Sequence, residues 1–232
     1  MTVHAAAAHE GHVLSYPKDP LYSRIPALKL GMWLFLLSDA FSFGGLLLAY
    51  GILRGGSDYW GCISAATIAK FGCVKEPLLG INFTAVLTFI LICSSVSMVL
   101  AHAAASEGDR KGTVKCLSAT VLGGLLFLCG QAQEYWGALH HVFGSAGGVF
   151  NEGLVAEGLL FGKTHYATTF YCITSFHGMH VTTGVLYLSV MLALTAAGKS
   201  NPVQIETCGL FWHFVDLVWI LVFTFVYLVP YT

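Results

Sequence analysis

An all-α, polytopic membrane bundle of about five spans is the fold class this sequence predicts, and three observations predict it. Hydrophobic residues make up 56% of the 232-residue chain and charged residues only 10%, whereas a soluble domain carries about 25% charged residues. The apolar residues are gathered into runs of roughly the 20 residues that a helix needs to cross a bilayer. Those runs are unbroken, which excludes a strand-rich barrel, whose strands would alternate apolar and polar positions.

The first span is expected from Leu30 to Leu53, interrupted only by Asp39, and the second from about Leu79 to Ala105. The third, about Thr113 to Trp136, carries Glu134 near its end. The fourth runs from Thr164 to Gly198, and the fifth, Thr207 to Tyr231, contains Asp216. Polar stretches with turn residues, such as Arg54-Gly55-Gly56-Ser57-Asp58 and Glu107-Gly108-Asp109-Arg110-Lys111-Gly112, separate them. Residues 1–29 form a polar N-terminal segment without the apolar core of a signal peptide, so the first span is expected to act as an uncleaved insertion signal. Residues 30–232 form one membrane domain with a loop at 54–78.

An odd number of spans puts the termini on opposite sides. With the N-terminus inside, Lys18, Arg24, Lys29, Arg110, Lys111, Lys115 and Lys199 fall inside and Arg54, Lys70, Lys75 and Lys163 outside. The positive-inside rule therefore favours N-inside, C-outside. The formal net charge of −1 leaves no basic field to recruit nucleic acid. Seven cysteines are present, with no CxxC metal-ligand pair. Cys93, Cys116, Cys129, Cys172 and Cys208 lie in or beside apolar runs, where a thiol is ordinarily inert packing. Cys62 and Cys73 fall in the outer loop, which would be the oxidising side if the membrane is a bacterial inner one, as a disulfide or as two free thiols.

An ionisable side chain inside a span costs about 2.5–3.5 kcal/mol on insertion scales, so it is normally paired or functional. Asp39 and Asp216 are the clearest cases. Each lies roughly 14 Å along its span at 1.5 Å per residue, near mid-depth. His177 and His180, three apart on one helix face, reach a similar level, and His213 and Asp216 repeat that spacing. These five residues predict an internal polar layer, which must supply its own hydrogen bonds because lipid offers none. For Asp39 the alternatives are an interhelical hydrogen bond or a proton- or lipid-linked role; for Asp216 they are helix glue or function. The His177/His180 pair is read as structural or lipid-contacting, or as two ligands of a metal site that needs others. Glu134, beside Tyr135 and Trp136, is expected as an interfacial anchor or an exposed helix-end acid.

These residues carry a resemblance. Phe176-His177-Gly178-Met179-His180-Val181 resembles the FHGxHV motif of cytochrome c oxidase subunit III, and Trp212-His213-Phe214-Val215-Asp216-Leu217-Val218-Trp219 its WHFVDxVW motif in the last helix. Glu134-Tyr135 is similar to the family's EY pair, and Ala101-His102 followed by Glu107-Gly108 to its AHxxxxxG helix end. The likeness extends from about Leu30 to Tyr231. Relative to the seven-helix form the first two helices are missing, as in five-helix bacterial versions in which another subunit supplies the pair. Ser38-Asp39 stands where the family commonly has Ser-Glu, the carbodiimide-reactive carboxylate.

The resemblance implies a subunit of a heme-copper oxidase without autonomous catalysis. It would have no cofactor of its own, since the hemes and copper reside in partner subunits. It would pack on subunit I beside other respiratory subunits and bind structural phospholipid. It would also support proton uptake and catalytic lifetime in a bacterial inner membrane. Asp39 takes the carboxylate role, and His102, Glu134, His177, His180, Trp212, His213 and Asp216 the polar or lipid-binding ones. The rival expectations are a five-helix relative in a quinol oxidase or nitric oxide reductase complex, and an independent membrane metalloenzyme.

Overall fold

Helix α1 (Ala27–Gly55) starts behind Pro26, a residue that cannot continue a helix backwards, and closes where the Gly56 amide bonds the Ile52 carbonyl at 3.1 Å. In all, the computed structural model describes residues 26–56, 60, 80–137, 153–155 and 159–228. Cys62 and Cys73, and with them the expected disulfide, lie outside the described residues.

Four further helices follow: α2 (Ile81–Ser106), α3 (Arg110–Trp136), α4 (His165–Ala196) and α5 (Pro202–Val222), which continues as a π-helical turn, Phe223–Leu228. All five are long and apolar enough to cross a membrane. Their starts are encoded locally. Asp109 accepts from the Lys111 amide, and Thr164 from the Ala167 amide at 3.0 Å. Asn201 and Gln204 form a capping box around Pro202. That cap starts α5 five residues before Thr207, where the apolar run alone had put it.

Helices α2, α3, α4 and α5 close a ring in which each packs against its sequence neighbour and α5 returns to α2. Helix α1 lies outside the ring, against α4 and α5. Accordingly α1 is the least buried span, with 6% of its most apolar stretch buried, and α5 the most, with 50%. Side chains such as Phe41 (75% exposed) and Phe89 (66%) would be costly in water but suit hydrocarbon contact.

One end of the bundle is tied by charge. Lys29 at the start of α1 pairs with Glu206 at the start of α5. Arg110 at the start of α3 donates from Nε to the Thr195 carbonyl at 3.0 Å and from its guanidinium to the Ala196 carbonyl, at the end of α4. A cation here satisfies carbonyls that a helix C-terminus leaves open. The start of α1, the α2–α3 turn and the α4–α5 turn therefore share one end. At the other end residues 153–155 fold back on α3, with the Leu154 and Val155 amides bonding the Glu134 and Tyr135 carbonyls at 2.9 and 3.1 Å.

Inside the ring, two tryptophans of α5 set the helix spacing. Trp212 is 1% exposed and fits between Gly124 of α3 and Gly184 of α4. A Cβ on Gly124 would stand 2.6 Å from Trp212 Cη2 and from Val185 Cγ2. Small residues at such crossings let membrane helices approach closely. Gly124→Val is therefore expected to lower stability by about 1–3 kcal/mol through overpacking. Gly44→Ala, where a Cβ meets nothing within 4 Å, is expected to be neutral. Thermal unfolding of the two detergent-solubilised variants checks both.

Candidate functional site: an internal polar layer in two parts

Asp39 of α1 and His180 of α4 meet across the α1–α4 crossing, with His180 Nε2 3.2 Å from Asp39 Oδ2. Both side chains are nearly buried, at 10% and 13% exposure. The nearby serines do not serve Asp39, because Ser38 and Ser42 donate back to the Phe35 and Ser38 carbonyls of their own helix. His180 Nδ1 lies 2.8 Å from the Phe176 carbonyl, one turn back. A carbonyl only accepts, so Nδ1 carries a proton. The other ring nitrogen, Nε2, is left to meet the Asp39 carboxyl group.

His177 behaves differently from its motif partner. It is fully buried and neither ring nitrogen has a hydrogen-bond partner among the described residues. It stacks on Trp219 (centroids 4.8 Å apart, planes at 30°) and meets Phe127 edge-on at 5.7 Å. It is packed as an aromatic plate. The glycine between the two histidines has its own reason, since a Cβ on Gly178 would stand 2.9 Å from Gln131 Oε1 of α3. Gln131 donates to the Tyr135 hydroxyl (3.2 Å) and the Thr174 carbonyl (2.9 Å), and Tyr135 donates to Thr174 Oγ1 at 2.5 Å.

The second part of the layer lies between α2 and α5. Ser95 Oγ is 2.6 Å from His213 Nδ1, and Asp216 follows His213 by three residues on the same helix. Asp216 is buried, with Oδ1 unpartnered among the described residues. Each flanking tryptophan donates to an α2 hydroxyl, Trp212 to Ser94 at 3.1 Å and Trp219 to Thr88 at 2.9 Å. The five residues expected in one layer thus separate into Asp39–His180 on one side and Ser95–His213–Asp216 on the other. His177 and Trp219 stand between them as an aromatic partition. The cause is the ring of helices: α1 reaches α4 on the outside, while Asp216 turns toward α2 across α5.

Glu134 corrects an expectation. It is not an exposed helix-end acid or interfacial anchor but a buried one, 9% exposed. Its Oε2 accepts from the Tyr227 hydroxyl at 2.9 Å and its Oε1 lies 3.2 Å from Thr84 Oγ1. The neighbouring Trp136 takes the exposed position instead, at 60%. Tyr227 and Thr84 were not singled out in the sequence; a tyrosine in a terminal apolar run has no signal beyond its type. His102 sits near the end of α2 with Nδ1 buried and unpartnered among the described residues. Of the cysteines, Cys208 is buried, Cys116 half-buried, and Cys93, Cys129 and Cys172 exposed on the apolar outer face. No group of three or more His, Cys, Asp or Glu that could hold a metal occurs among the described residues.

Removing Glu134 would strand the buried Tyr227 hydroxyl, at about 1–3 kcal/mol for an unsatisfied group, while Thr84 keeps its bond to the Gly80 carbonyl. Glu134→Leu is expected to lower the thermal midpoint clearly and Glu134→Gln, which keeps an acceptor, much less. By the same logic His177→Phe is expected to be near neutral, whereas His180→Leu, which strands Asp39, destabilises. Melting curves of the purified variants decide these comparisons.

The sequence profile of the cytochrome c oxidase subunit III family matches residues 22–231. Over 205 residues the chain is 30% identical to cytochrome bo(3) ubiquinol oxidase subunit 3 of Pseudomonas putida, covering 86% of this chain and 84% of that one. It is 30% identical over 210 residues to the probable cytochrome c oxidase subunit 3 of Rickettsia bellii, covering 87% and 68%. It is 31% identical over 205 residues to cytochrome c oxidase subunit 3 of Danio rerio, covering 86% and 69%. The FHGMHV and WHFVDLVW segments that supply both halves of the polar layer lie within the matched region. This chain belongs to the cytochrome c oxidase subunit III family.

Proposed function

We propose that this chain is the non-catalytic subunit III of a heme-copper terminal oxidase in a bacterial inner membrane, where oxygen reduction is coupled to proton translocation. The observation that carries the reading is the Asp39–His180 contact at 3.2 Å, which joins the carboxylate of the Ser-Asp step to the second histidine of FHGMHV. A nearly buried carboxyl–imidazole pair suits a part in proton supply. The chain would pack on subunit I among the other respiratory subunits, with hemes and copper in those partners. It would hold phospholipid against its apolar outer face and sustain proton uptake and catalytic lifetime. The end tied by Lys29–Glu206 and Arg110 would face inward, together with Lys111, Lys115 and Lys199, as the positive-inside rule favours. The C-terminus would then lie outside.

A quinol-oxidising complex is the second reading, favoured by the Pseudomonas putida relative, of which this chain spans the larger share. The hemes and the large subunit that co-purify with the chain distinguish the two.

Deleting this chain from the complex is expected to leave oxygen consumption measurable at first and to shorten the number of turnovers before inactivation. Unchanged activity and lifetime would refute the reading. Asp39→Asn keeps a hydrogen bond to His180 but removes the carboxyl proton. It should assemble normally, lose carbodiimide labelling at this position and reproduce part of the shortened lifetime, as followed by an oxygen electrode over many turnovers.

A further inference from the structure

At the end of the bundle away from Lys29–Glu206, a row of aromatic rings in contact runs from the surface into the core. Trp136, 60% exposed, meets Tyr135 at 5.5 Å between centroids. Tyr135 meets Phe170 at 6.4 Å, and Phe170 meets Tyr227 at 5.7 Å. Tyr135, Phe170 and Tyr227 are all buried. The row thus begins on an accessible indole and ends on a phenol that solvent does not reach.

Packing alone explains such contacts, but not the polar partner at the inner end. The Tyr227 hydroxyl donates to Glu134 Oε2 at 2.9 Å. The neighbouring rings have neutral acceptors instead. Tyr135 donates to Thr174 Oγ1 at 2.5 Å, and Trp219, 6.0 Å from Tyr227, donates to Thr88 Oγ1 at 2.9 Å. Of these rings only Tyr227 has its proton facing a carboxylate. The difference bears on one-electron chemistry. A phenol that loses an electron becomes a strong acid, and a charged radical in a buried site is costly without a base in contact. With a carboxylate at hydrogen-bond distance the proton leaves together with the electron. The products are a neutral phenoxyl radical and a neutral carboxylic acid, so such a phenol reduces an indole radical cation.

We propose that this row is a radical-repair relay, in which Tyr227, with Glu134 as its base, returns an electron to Trp136 after one-electron oxidation. An oxygen-derived radical at the surface takes one electron from the Trp136 indole and becomes the anion, leaving an indole radical cation. One electron then passes from Tyr227 to Trp136, which restores the indole, and the Tyr227 hydroxyl proton moves to Glu134 Oε2. Tyr135 and Phe170 bridge the two; neither faces a carboxylate and neither holds the radical. The phenoxyl rests where the ring is fully enclosed, with 0% of Tyr227 exposed. A small thiolate at the surface returns one electron by the same route, becoming a thiyl radical, and the proton goes back from Glu134 to Tyr227. The tryptophan exposed to oxidants is in this way spared irreversible ring damage.

The test uses the assembly that contains this chain, as extracted from membranes. Flash photolysis of ruthenium(II) tris(bipyridine) with cobalt(III) pentaammine chloride supplies the one-electron oxidant. Peptide mass spectrometry then measures hydroxytryptophan and kynurenine at each tryptophan. Trp33, 43% exposed and lying under the Lys29 ammonium, is the internal reference. Relative to Trp33, oxidation of Trp136 is expected to rise several-fold in Tyr227→Phe and in Glu134→Gln, whose amide is not a base. Tyr50→Phe, which alters a buried tyrosine of α1 outside the row, is expected to leave the ratio unchanged. Rapid freezing after the flash is expected to trap a phenoxyl signal in electron paramagnetic resonance that Tyr227→Phe lacks. Trp212, 1% exposed, reports any loosening of the fold. Equal Trp136 to Trp33 ratios in wild type and both variants, or no Trp136 oxidation in any of them, would overturn the relay. So would a rise at Trp136 matched by an equal rise at Trp212.

Discussion

Two indole N–H groups on α5 each find a hydroxyl on α2, Trp212 with Ser94 and Trp219 with Thr88, and much of the bundle is arranged around them. The large rings supply the packing area, and the polar tip of each ring has to be answered within the protein because hydrocarbon offers no acceptor. Meeting both demands requires α5 to lie deep in the ring. It also requires α3 and α4 to give way where Trp212 passes, as they do at Gly124 and Gly184. The high burial of α5 and the lateral position of α1 follow from this arrangement.

The same constraint divides the ionisable groups. Asp39 gains an imidazole from α4, whereas Asp216 lies on the α5 stretch where His213 meets Ser95 of α2. No continuous hydrogen-bonded path joins the two carboxyls among the described residues. Glu134 is a third such site, closed by Tyr227 where α5 passes into its π-helical turn. Tyr227 lies within that π-helical turn and donates to the carboxylate.

Membership of the subunit III family and the helical geometry point to one role. The Asp39–His180 pair near the outer helix belongs to the polar layer built by the motifs of that family. The motif residues contribute unequally to it. His180 is the hydrogen-bonding partner of Asp39 and His177 an aromatic spacer, although they stand three positions apart in one motif. His213 differs from both, since it is half-buried and its Nδ1 meets a serine of α2.

The amino-acid sequence by itself determined the number of spans, most of their limits and the motifs that place the chain in its family. Those features depend on local quantities: run length, charge density, and caps such as Asn201-Pro202. Only the tertiary structure decided which polar groups meet. The three-residue spacing put His177 and His180 on one face. Whether each ring found a partner depended on α1 crossing near one and Trp219 stacking on the other. Glu134 looked like an end-of-helix acid because it is one in sequence; its burial comes from Thr84 and Tyr227, fifty or more positions away. In a lipid-facing bundle the identity of a buried polar group is written in the chain, but its partner is chosen by helix packing.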